Sequence, residues 1–324
     1  MKLGISYRMR FRYSEPVTEC QNEVRVRPRD DDYQRVLSYR LTSQPQLQVL
    51  SVVDYWGTVV EHLGIRTPHT ELELLAEATV ETATRSGPAE AAAGPALDDA
   101  GFRLEHLEFL EPSQHVDWHP GDAVEQRAAA AVTGAASVPD MVSAVLADVR
   151  GALSYEQGAT DIGISLTELL GGGAGVCQDF AHLALGMLRS VGVPARYVSG
   201  YLFAADETSA NAETAELVTV QTHAWIEVAL PGSGWWALDP TNGGPVGERH
   251  VVIGCGRDYG DVPPVRGAFM GSGTAEVDAE VVIGRHVEGP PAVAASAPGR
   301  QVAAAPAPPA PNWRNQQSQQ QQQQ

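Results

Sequence analysis

The chain has 324 residues, a formal net charge of −18 at pH 7 and three cysteines. So acidic a chain lacks the basic stripe of a nucleic-acid-binding protein, and it has no apolar run long enough to span a bilayer, so we expect no nucleic acid and no membrane as partner. Its cysteines, Cys20, Cys177 and Cys255, are odd in number and widely separated. This pattern is not a disulfide framework, and it favours a cytoplasmic protein.

The first part of the chain predicts an all-β domain over residues 1–85. Residues 5–11 and 23–27 alternate between apolar and polar side chains, as half-buried strands do. Residues 54–57 read Asp-Tyr-Trp-Gly, which is typical of a hairpin turn. The pattern favours a sandwich of antiparallel strands.

The remainder of the chain predicts a linker, a second folded domain and a tail. Residues 86–110 begin with a stretch rich in Ala, Gly and Pro and form the linker and connecting segment. Residues 111–288 place helices, at about 121–136 and 139–152, before a series of strands, which is the order of an α+β domain. Residues 289–324 are rich in Ala, Pro and Gln and cannot bury a core, so we expect a disordered tail.

Cys177 follows a run of glycines and opens a predicted helix over residues 178–191. Apolar residues recur there at helical spacing, and Gly192 followed by Pro194 is a usual stop signal. A helix N-terminus presents unpaired N–H groups and the positive end of the helix dipole, so a thiol there is favoured as the thiolate. A free cysteine is often a small buried hydrophobe, but the preceding glycines allow backbone or substrate to approach closely. We therefore predict that Cys177 is a nucleophile.

A strand and its return strand predict the partners of that nucleophile. Residues 217–230 alternate as a strand that carries His223, and residues 235–239 return as a second strand that ends in Asp239. A hairpin centred on Pro231 places His223 and Asp239 opposite each other, whereas a loop with an even number of residues puts Asp239 on the wrong face. A joint site therefore requires a loop of odd length, or a bulge that restores the register.

Cysteine, histidine and aspartate are the side chains that a thiol-based acyl transfer needs. Cysteine attacks the carbonyl, histidine moves the thiol proton to the leaving amine, and the carboxylate orients the imidazole and stabilises its cation. The backbone N–H of Cys177 is the predicted oxyanion donor, and Tyr155 and Gln178 are candidates for a second donor. Trp225 is a candidate for lining a substrate cleft, although core packing explains it equally well.

A metal site finds little support in the sequence. His182 together with His223 and Asp239 would supply the right types of zinc ligand, but the fixed spacing of a zinc motif is absent. We therefore predict that the protein uses no metal and no cofactor.

Four segments around the predicted site carry a family resemblance. They are Gly-Val-Cys-Gln-Asp-Phe-Ala-His (175–182), Ala-Arg-Tyr-Val-Ser-Gly-Tyr (195–201), His-Ala-Trp-Ile-Glu-Val (223–228) and Asp-Pro-Thr-Asn (239–242). These segments resemble the bacterial transglutaminase-like superfamily, and segments between residues 13 and 39 resemble its N-terminal domain. The resemblance implies a papain-like core, in which the helix carrying Cys177 packs on an antiparallel sheet. It also implies a triad of Cys177, His223 and Asp239, within a catalytic domain at 111–288.

The predicted function is a cysteine enzyme that attacks an amide or peptide bond of a protein or peptide and forms a thioester acyl-enzyme. Transfer to an amine acceptor and hydrolysis by a cysteine peptidase or amidase both follow from this intermediate, and the sequence leaves the choice open. A non-catalytic binding protein that keeps the fold is the remaining alternative. Such a protein should bury or misorient the thiol of Cys177.

Overall fold

The structure is a computed structural model that describes residues 1–85, 87, 97–204 and 217–285. The predicted tail, 289–324, and residues 86 and 88–96 of the predicted linker lie outside the described residues. None of the helices in the described ranges is long and apolar enough to cross a membrane.

The described residues form strands, α-helices and two short 3-10 helices. The strands are β1 (Lys2–Val24), β2 (Gln34–Gln44), β3 (Leu50–Val53), β4 (Val59–Ile65), β5 (His69–Thr82), β6 (Ser154–Tyr155), β7 (Ala174–Gly175), β8 (Ala195–Leu202), β9 (Val218–Val220), β10 (Thr222–Leu230), β11 (Gly234–Asp239), β12 (Gly244–Pro245), β13 (His250–Gly256), β14 (Val265–Met270) and β15 (Ala275–Arg285). The α-helices are α1 (Ala100–Glu105), α2 (Ala123–Ala131), α3 (Val138–Ala152), α4 (Leu166–Gly172) and α5 (Cys177–Ser190). The 3-10 helices are Leu107–Phe109 and Tyr259–Asp261.

The first sheet is built on the long strand β1, which pairs with two sets of neighbours. Its first half lies between β5 and β15, and its second half lies between β4 and β14. Register shifts separate the halves near Glu19, a non-glycine residue with a φ of 52°. Side chains from both halves, such as Ile5 and Val24, share one buried apolar core. This arrangement agrees with the antiparallel all-β domain predicted from the sequence.

The first sheet also includes strands from far along the chain. β14 and β15 pair with β1, and β9 pairs with β15, so these parts of the predicted domain at 111–288 lie in the sheet of the N-terminal strands. The stretch 217–230 is likewise not one strand, because the chain passes from one sheet to the other at Gln221. The reason lies in β1, whose 23 residues need backbone partners along both edges. Alternation predicts that a segment is a strand, but it does not say which sheet the strand joins.

The second sheet and the helices form the predicted α+β core. The sheet has the order β12-β11-β10-β8-β13 and is antiparallel throughout. Helix α5 packs between this sheet and helices α2, α3 and α4, and most of its residues are buried. At Gly186 an added Cβ would stand 2.4 Å from Leu166 of α4, so the two helices approach closely there. The observed helix Cys177–Ser190 begins and ends one residue before the predicted range.

Buried polar contacts join the two sheets. The side-chain amide of Gln34 donates to the Val252 carbonyl at 2.9 Å and accepts from the Val252 N–H at 2.7 Å. Glu227 of β10 is 2% exposed and forms ion pairs with Arg196 at 2.6 Å and with Arg85 at 3.4 Å. Arg85 follows the N-terminal strands, so this buried carboxylate is bound by both parts of the chain.

We expect the substitution Glu227→Ala to lower the free energy of unfolding by about 3 kcal/mol, because it leaves the largely buried guanidinium of Arg196 without its carboxylate and leaves Arg85 with Asp31 alone. Urea unfolding measures this change. The matched control is Glu81→Ala, which breaks the exposed Arg35–Glu81 pair, with side chains 71% and 54% exposed. That loss should be within about 0.5 kcal/mol. Equal losses in the two variants would contradict the prediction.

Candidate active site

The structure places Cys177 at the first residue of α5. Val176 before it is extended, with φ −110° and ψ 178°, and the chain reaches this point through the short parallel pair β6–β7. The N–H groups of Cys177 and Gln178 lie in the first turn, where the helix itself supplies no acceptor. The Cys177 side chain is half-buried, whereas Cys20 and Cys255 are buried. Of the three cysteines, Cys177 therefore combines access with a helix N-terminus.

Asp179 anchors the backbone just before the thiol. Its Oδ2 accepts hydrogen bonds from the Val176 N–H at 2.8 Å and from the Thr160 hydroxyl at 2.6 Å. A glycine is required beside it at Gly175, because a Cβ there would stand 2.7 Å from the same oxygen. The sequence explains Asp179 by the helix dipole alone. The structure shows that Asp179 also fixes the path of the chain into Cys177.

The hairpin that carries His223 and Asp239 has a loop of three residues, 231–233, centred on Gly232. The predicted centre, Pro231, is therefore wrong by one residue, and His223 is offset by two residues from the position opposite Asp239. Gly232 accounts for the difference, because its φ of 75° is a conformation that glycine adopts readily. The loop is of odd length, so both side chains lie on one face and meet across the diagonal. His223 Nε2 lies 2.8 Å from Asp239 Oδ2.

Asp239 is buried and accepts five hydrogen bonds. Its Oδ1 accepts from the backbone N–H groups of Thr241 at 2.9 Å and Asn242 at 3.1 Å. Its Oδ2 accepts from His223 Nε2 at 2.8 Å, from Asn242 Nδ2 at 2.8 Å and from His250 Nε2 at 3.3 Å. Burial by itself raises the pKa of Asp239, but the hydrogen bonds from these side chains and the charge of His223 hold the pKa well below its usual range. The group is therefore a carboxylate at neutral pH.

His223 connects this carboxylate to the thiol. Its Nε2 is taken by Asp239, which leaves Nδ1 for the hydrogen bond that His223 makes with Cys177. Burial by itself lowers the pKa of His223, but the hydrogen bonds to Asp239 and Cys177, and the charges of both, raise the pKa to about 9. His223 is therefore an imidazolium at neutral pH, and a neighbouring imidazolium favours the thiolate form of a cysteine.

Trp225 is fully buried, which favours the core packing that the sequence offered beside a substrate cleft. Its ring meets the His250 ring edge to face, with centroids 5.2 Å apart, and its centroid is 6.1 Å from that of His223. The indole lies across Gly200 of β8, where an added Cβ would stand 2.3 Å from the ring. Trp225 is thus a core residue packed against the two imidazoles.

Tyr155 and Gln178, the candidates for a second oxyanion donor, both lie near the thiol. Tyr155 is opposite Gly175 in the β6–β7 pair, is 52% exposed, and has its ring centroid 6.5 Å from that of Phe180. Burial raises the pKa of Tyr155, and the neighbouring Cys177 raises it further. Gln178 is half-buried and directly follows Cys177 in α5. The role of either residue as a donor stays a prediction.

The possible metal ligands differ from those weighed in the sequence. His182 is buried in the core, where its Nε2 accepts from the Tyr259 N–H at 3.2 Å and burial lowers its pKa to about 3. Among the described residues, the ligand atoms of His223, Asp239 and His250 lie within 4.8 Å of one another. These atoms hydrogen-bond to each other, so a metal would have to displace the contacts that orient His223.

Two residues of this cluster were not predicted as parts of the site. Asn242 belongs to the Asp-Pro-Thr-Asn segment, so a local signal for it existed in the sequence. His250 is eleven residues beyond Asp239, at the start of β13, and no local pattern connects the two. Only the folded path of the chain brings them together.

The fold and the site together define the class of protein. A central helix that begins at a cysteine and packs on an antiparallel sheet carrying histidine and aspartate is a papain-like α+β core. Residues 125–240 match the transglutaminase-like superfamily, and residues 3–81 match the bacterial transglutaminase-like N-terminal region. The chain therefore belongs to the transglutaminase-like superfamily, as its motifs predict.

Two relatives and one solved structure resemble most of the chain. The chain is 37% identical over 276 residues to an uncharacterised protein of Mycobacterium leprae, covering 84% of this chain and 95% of that protein. It is 32% identical over 293 residues to an uncharacterised protein of Mycobacterium tuberculosis, covering 86% and 90%. A crystal structure of a candidate cysteine protease from Cytophaga hutchinsonii superposes with a TM-score of 0.67 at 23% identity, covering 87% of this chain and 90% of that one. This last likeness supports the fold.

We predict that Cys177 reacts with an alkylating reagent faster than Cys20 and Cys255 in the folded protein near neutral pH. The latter two side chains are 1% and 2% exposed, so the reagent reaches them only through opening of the structure. Site-resolved mass spectrometry over a time course measures the three rates. His223→Ala should slow labelling at Cys177 alone, and equal rates at all three cysteines would contradict the prediction.

The raised pKa of His223 also predicts a pH dependence of stability. The folded value of about 9 lies above the ordinary 6.5, so the folded state binds the proton more tightly. The resulting stabilisation is fully present below pH 6.5 and is lost as the pH rises through 9. Wild-type protein should lose on the order of 2–3 kcal/mol across this window relative to His223→Ala. Urea unfolding at each pH measures this, and a free energy of unfolding that changes equally with pH in the two proteins would contradict the prediction.

Proposed function

We propose that the protein is a thiol enzyme that attacks an amide bond of a protein or peptide and forms a thioester on Cys177. The observation that carries the proposal is the continuous hydrogen-bonded line from Cys177 through His223 to Asp239, in which His223 has a pKa of about 9. Such a line supplies a nucleophile, a proton carrier and an orienting carboxylate in the order that acyl transfer requires.

Acylation follows from the geometry in two steps, addition to the carbonyl and collapse of the intermediate. The thiol proton resides on His223, and the Cys177 sulfur adds to the carbonyl carbon of the amide. The backbone N–H groups at the start of α5 face the oxyanion that develops. The tetrahedral intermediate then collapses: the C–N bond breaks, and His223 gives its proton to the leaving amine. The product is a thioester on Cys177 with a neutral imidazole beside it.

Deacylation uses the same residues in the reverse sense. Water or a primary amine adds to the thioester carbonyl while His223 accepts its proton. The C–S bond breaks, the acyl group leaves as an acid or a new amide, and the proton returns to the Cys177–His223 pair. Hydrolysis and amine transfer therefore differ only in the acceptor that reaches the thioester.

The half-buried position of Cys177 favours an enzyme over a binding protein that merely keeps the fold. A binding protein has no need to orient a thiol, yet here Asp179 fixes the backbone before Cys177 and His223 hydrogen-bonds its side chain. Five hydrogen bonds to one buried carboxylate are likewise an arrangement that orientation of His223 explains.

The test is incubation of the full chain with a peptide amide library in isotopically labelled water, with and without a primary amine. We expect cleaved or exchanged amides, and an acyl adduct on Cys177 in the intact mass. Cys177→Ala should abolish both, and His223→Ala should lower the rate about 10²–10⁴-fold. Label in the product reports hydrolysis, and amine incorporation reports transfer.

The matched control is Cys20→Ala, which removes a buried thiol from the core of the first sheet and should keep the rate. Unchanged activity in Cys177→Ala would exclude the proposed mechanism. A wild-type chain that binds library members without ever forming a Cys177 adduct would favour the binding protein instead.

A further inference from the structure

Asp239 Oδ2 accepts from three side chains, and they come from different parts of the fold. His223 is the reacting partner and lies at the start of β10. Asn242 lies three residues after Asp239, in the same turn. His250 comes from β13, at the opposite edge of the sheet from β11 and β12. His250 therefore lies outside both the β10–β11 hairpin and the turn that follows β11.

The path of the chain explains how His250 reaches Asp239. After β12 the chain crosses the face of the sheet, and Val246 packs there in a buried cluster with Trp225 and Val252. It then enters β13 at the far edge, with His250 as the first residue of that strand. The imidazole points back over the sheet toward Asp239.

The orientation of the His250 ring is set on two sides. Its Nδ1 accepts the Gly247 N–H at 3.3 Å, so in the neutral ring the hydrogen is on Nε2, the nitrogen 3.3 Å from Asp239. The His250 ring also packs edge to face with the Trp225 ring, at an interplanar angle of 77°. Trp225 can lie there because Gly200 has no Cβ, which would stand 2.3 Å from the indole.

We propose that His250 is a positioning residue that ties the Asp239 carboxylate to the far edge of the sheet and so keeps it aimed at His223. Thr241 and Asn242 hold the carboxylate only relative to their own turn, and they move with that turn. His250 fixes the carboxylate relative to the sheet that also carries His223. This inference rests on the proposed function, since it assigns a role within the same triad.

Among the residues that the structure describes, three charged or titratable side chains face His223, which makes the role measurable. They are Cys177 from α5, Asp239 from β11 and His250 from β13. When Asp239 loses its fixed direction, the imidazolium of His223 loses part of its stabilisation. The pH at which His223 deprotonates should then fall, and the alkaline limb of the activity profile should move toward lower pH.

The experiment compares wild type with His250→Ala, His250→Gln and His119→Ala. Glutamine keeps an N–H donor near the place of Nε2, and His119 is an exposed histidine away from the cluster that serves as control. We expect His250→Ala to lower kcat about tenfold or more with little change in KM, because a distant change that misplaces a reacting group can cost about 10²-fold. The alkaline limb, near pH 9 in wild type, should move down. His250→Gln should restore most of both.

A second readout does not depend on any substrate. The ring protons of His223 are followed by NMR titration in the full chain, and the midpoint should fall in His250→Ala, recover in His250→Gln and stay unchanged in His119→Ala. If all three variants share the wild-type midpoint of His223, the inference is overturned. The same holds if His250→Gln shows as large a loss of kcat and as large a fall in midpoint as His250→Ala. Activity lost on chelation also overturns it, because His250 would then be a metal ligand. If the NMR shift appears in a protein without amide-cleaving activity, the proposed function fails while the positioning role stands.

Discussion

The Asp239 carboxylate is the constraint on which the rest of the site depends. A buried charge is costly unless hydrogen-bond donors compensate it, and here five donors do so. Because these donors belong to the turn after β11, the start of β10 and the start of β13, three separate pieces of chain must meet at one point. The orientation of His223 toward Cys177 follows from that meeting.

Helix α5 supplies the other fixed element. It is buried on nearly all sides, between the sheet and three helices, so its axis has little freedom. A nucleophile at the first residue of such a helix is placed more reproducibly than one on a loop. The loop before it is nevertheless tied down, because Asp179 holds Val176 and Thr160 to the helix start. The thiol and the carboxylate are thus fixed independently, and His223 bridges two rigid positions.

The sequence predicted what local chemistry controls. The helix after Cys177 was located within one residue, because apolar spacing and the glycine stop signal are local. The face shared by His223 and Asp239 was also predicted, since it depends only on an odd loop. The loop centre was missed because Pro231 and Gly232 are both turn residues and only the backbone angle decides between them. Cleft and core packing stayed open for Trp225 because its burial depends on Gly200, which lies on the neighbouring strand β8.

The parts that escaped prediction are those set by distant pairings, and they connect the two sheets into one unit. The end of the described chain returns as β15 to pair with β1, so the N-terminal sheet is incomplete without it. β13 lies at the edge of the second sheet, where backbone groups would otherwise be unpaired. The N-terminal sheet supports it there, because the side-chain amide of Gln34 bonds both the N–H and the carbonyl of Val252. Val252 is two residues from His250, which in turn contacts Asp239. The N-terminal sheet therefore supports β13, the strand whose His250 holds the Asp239 carboxylate.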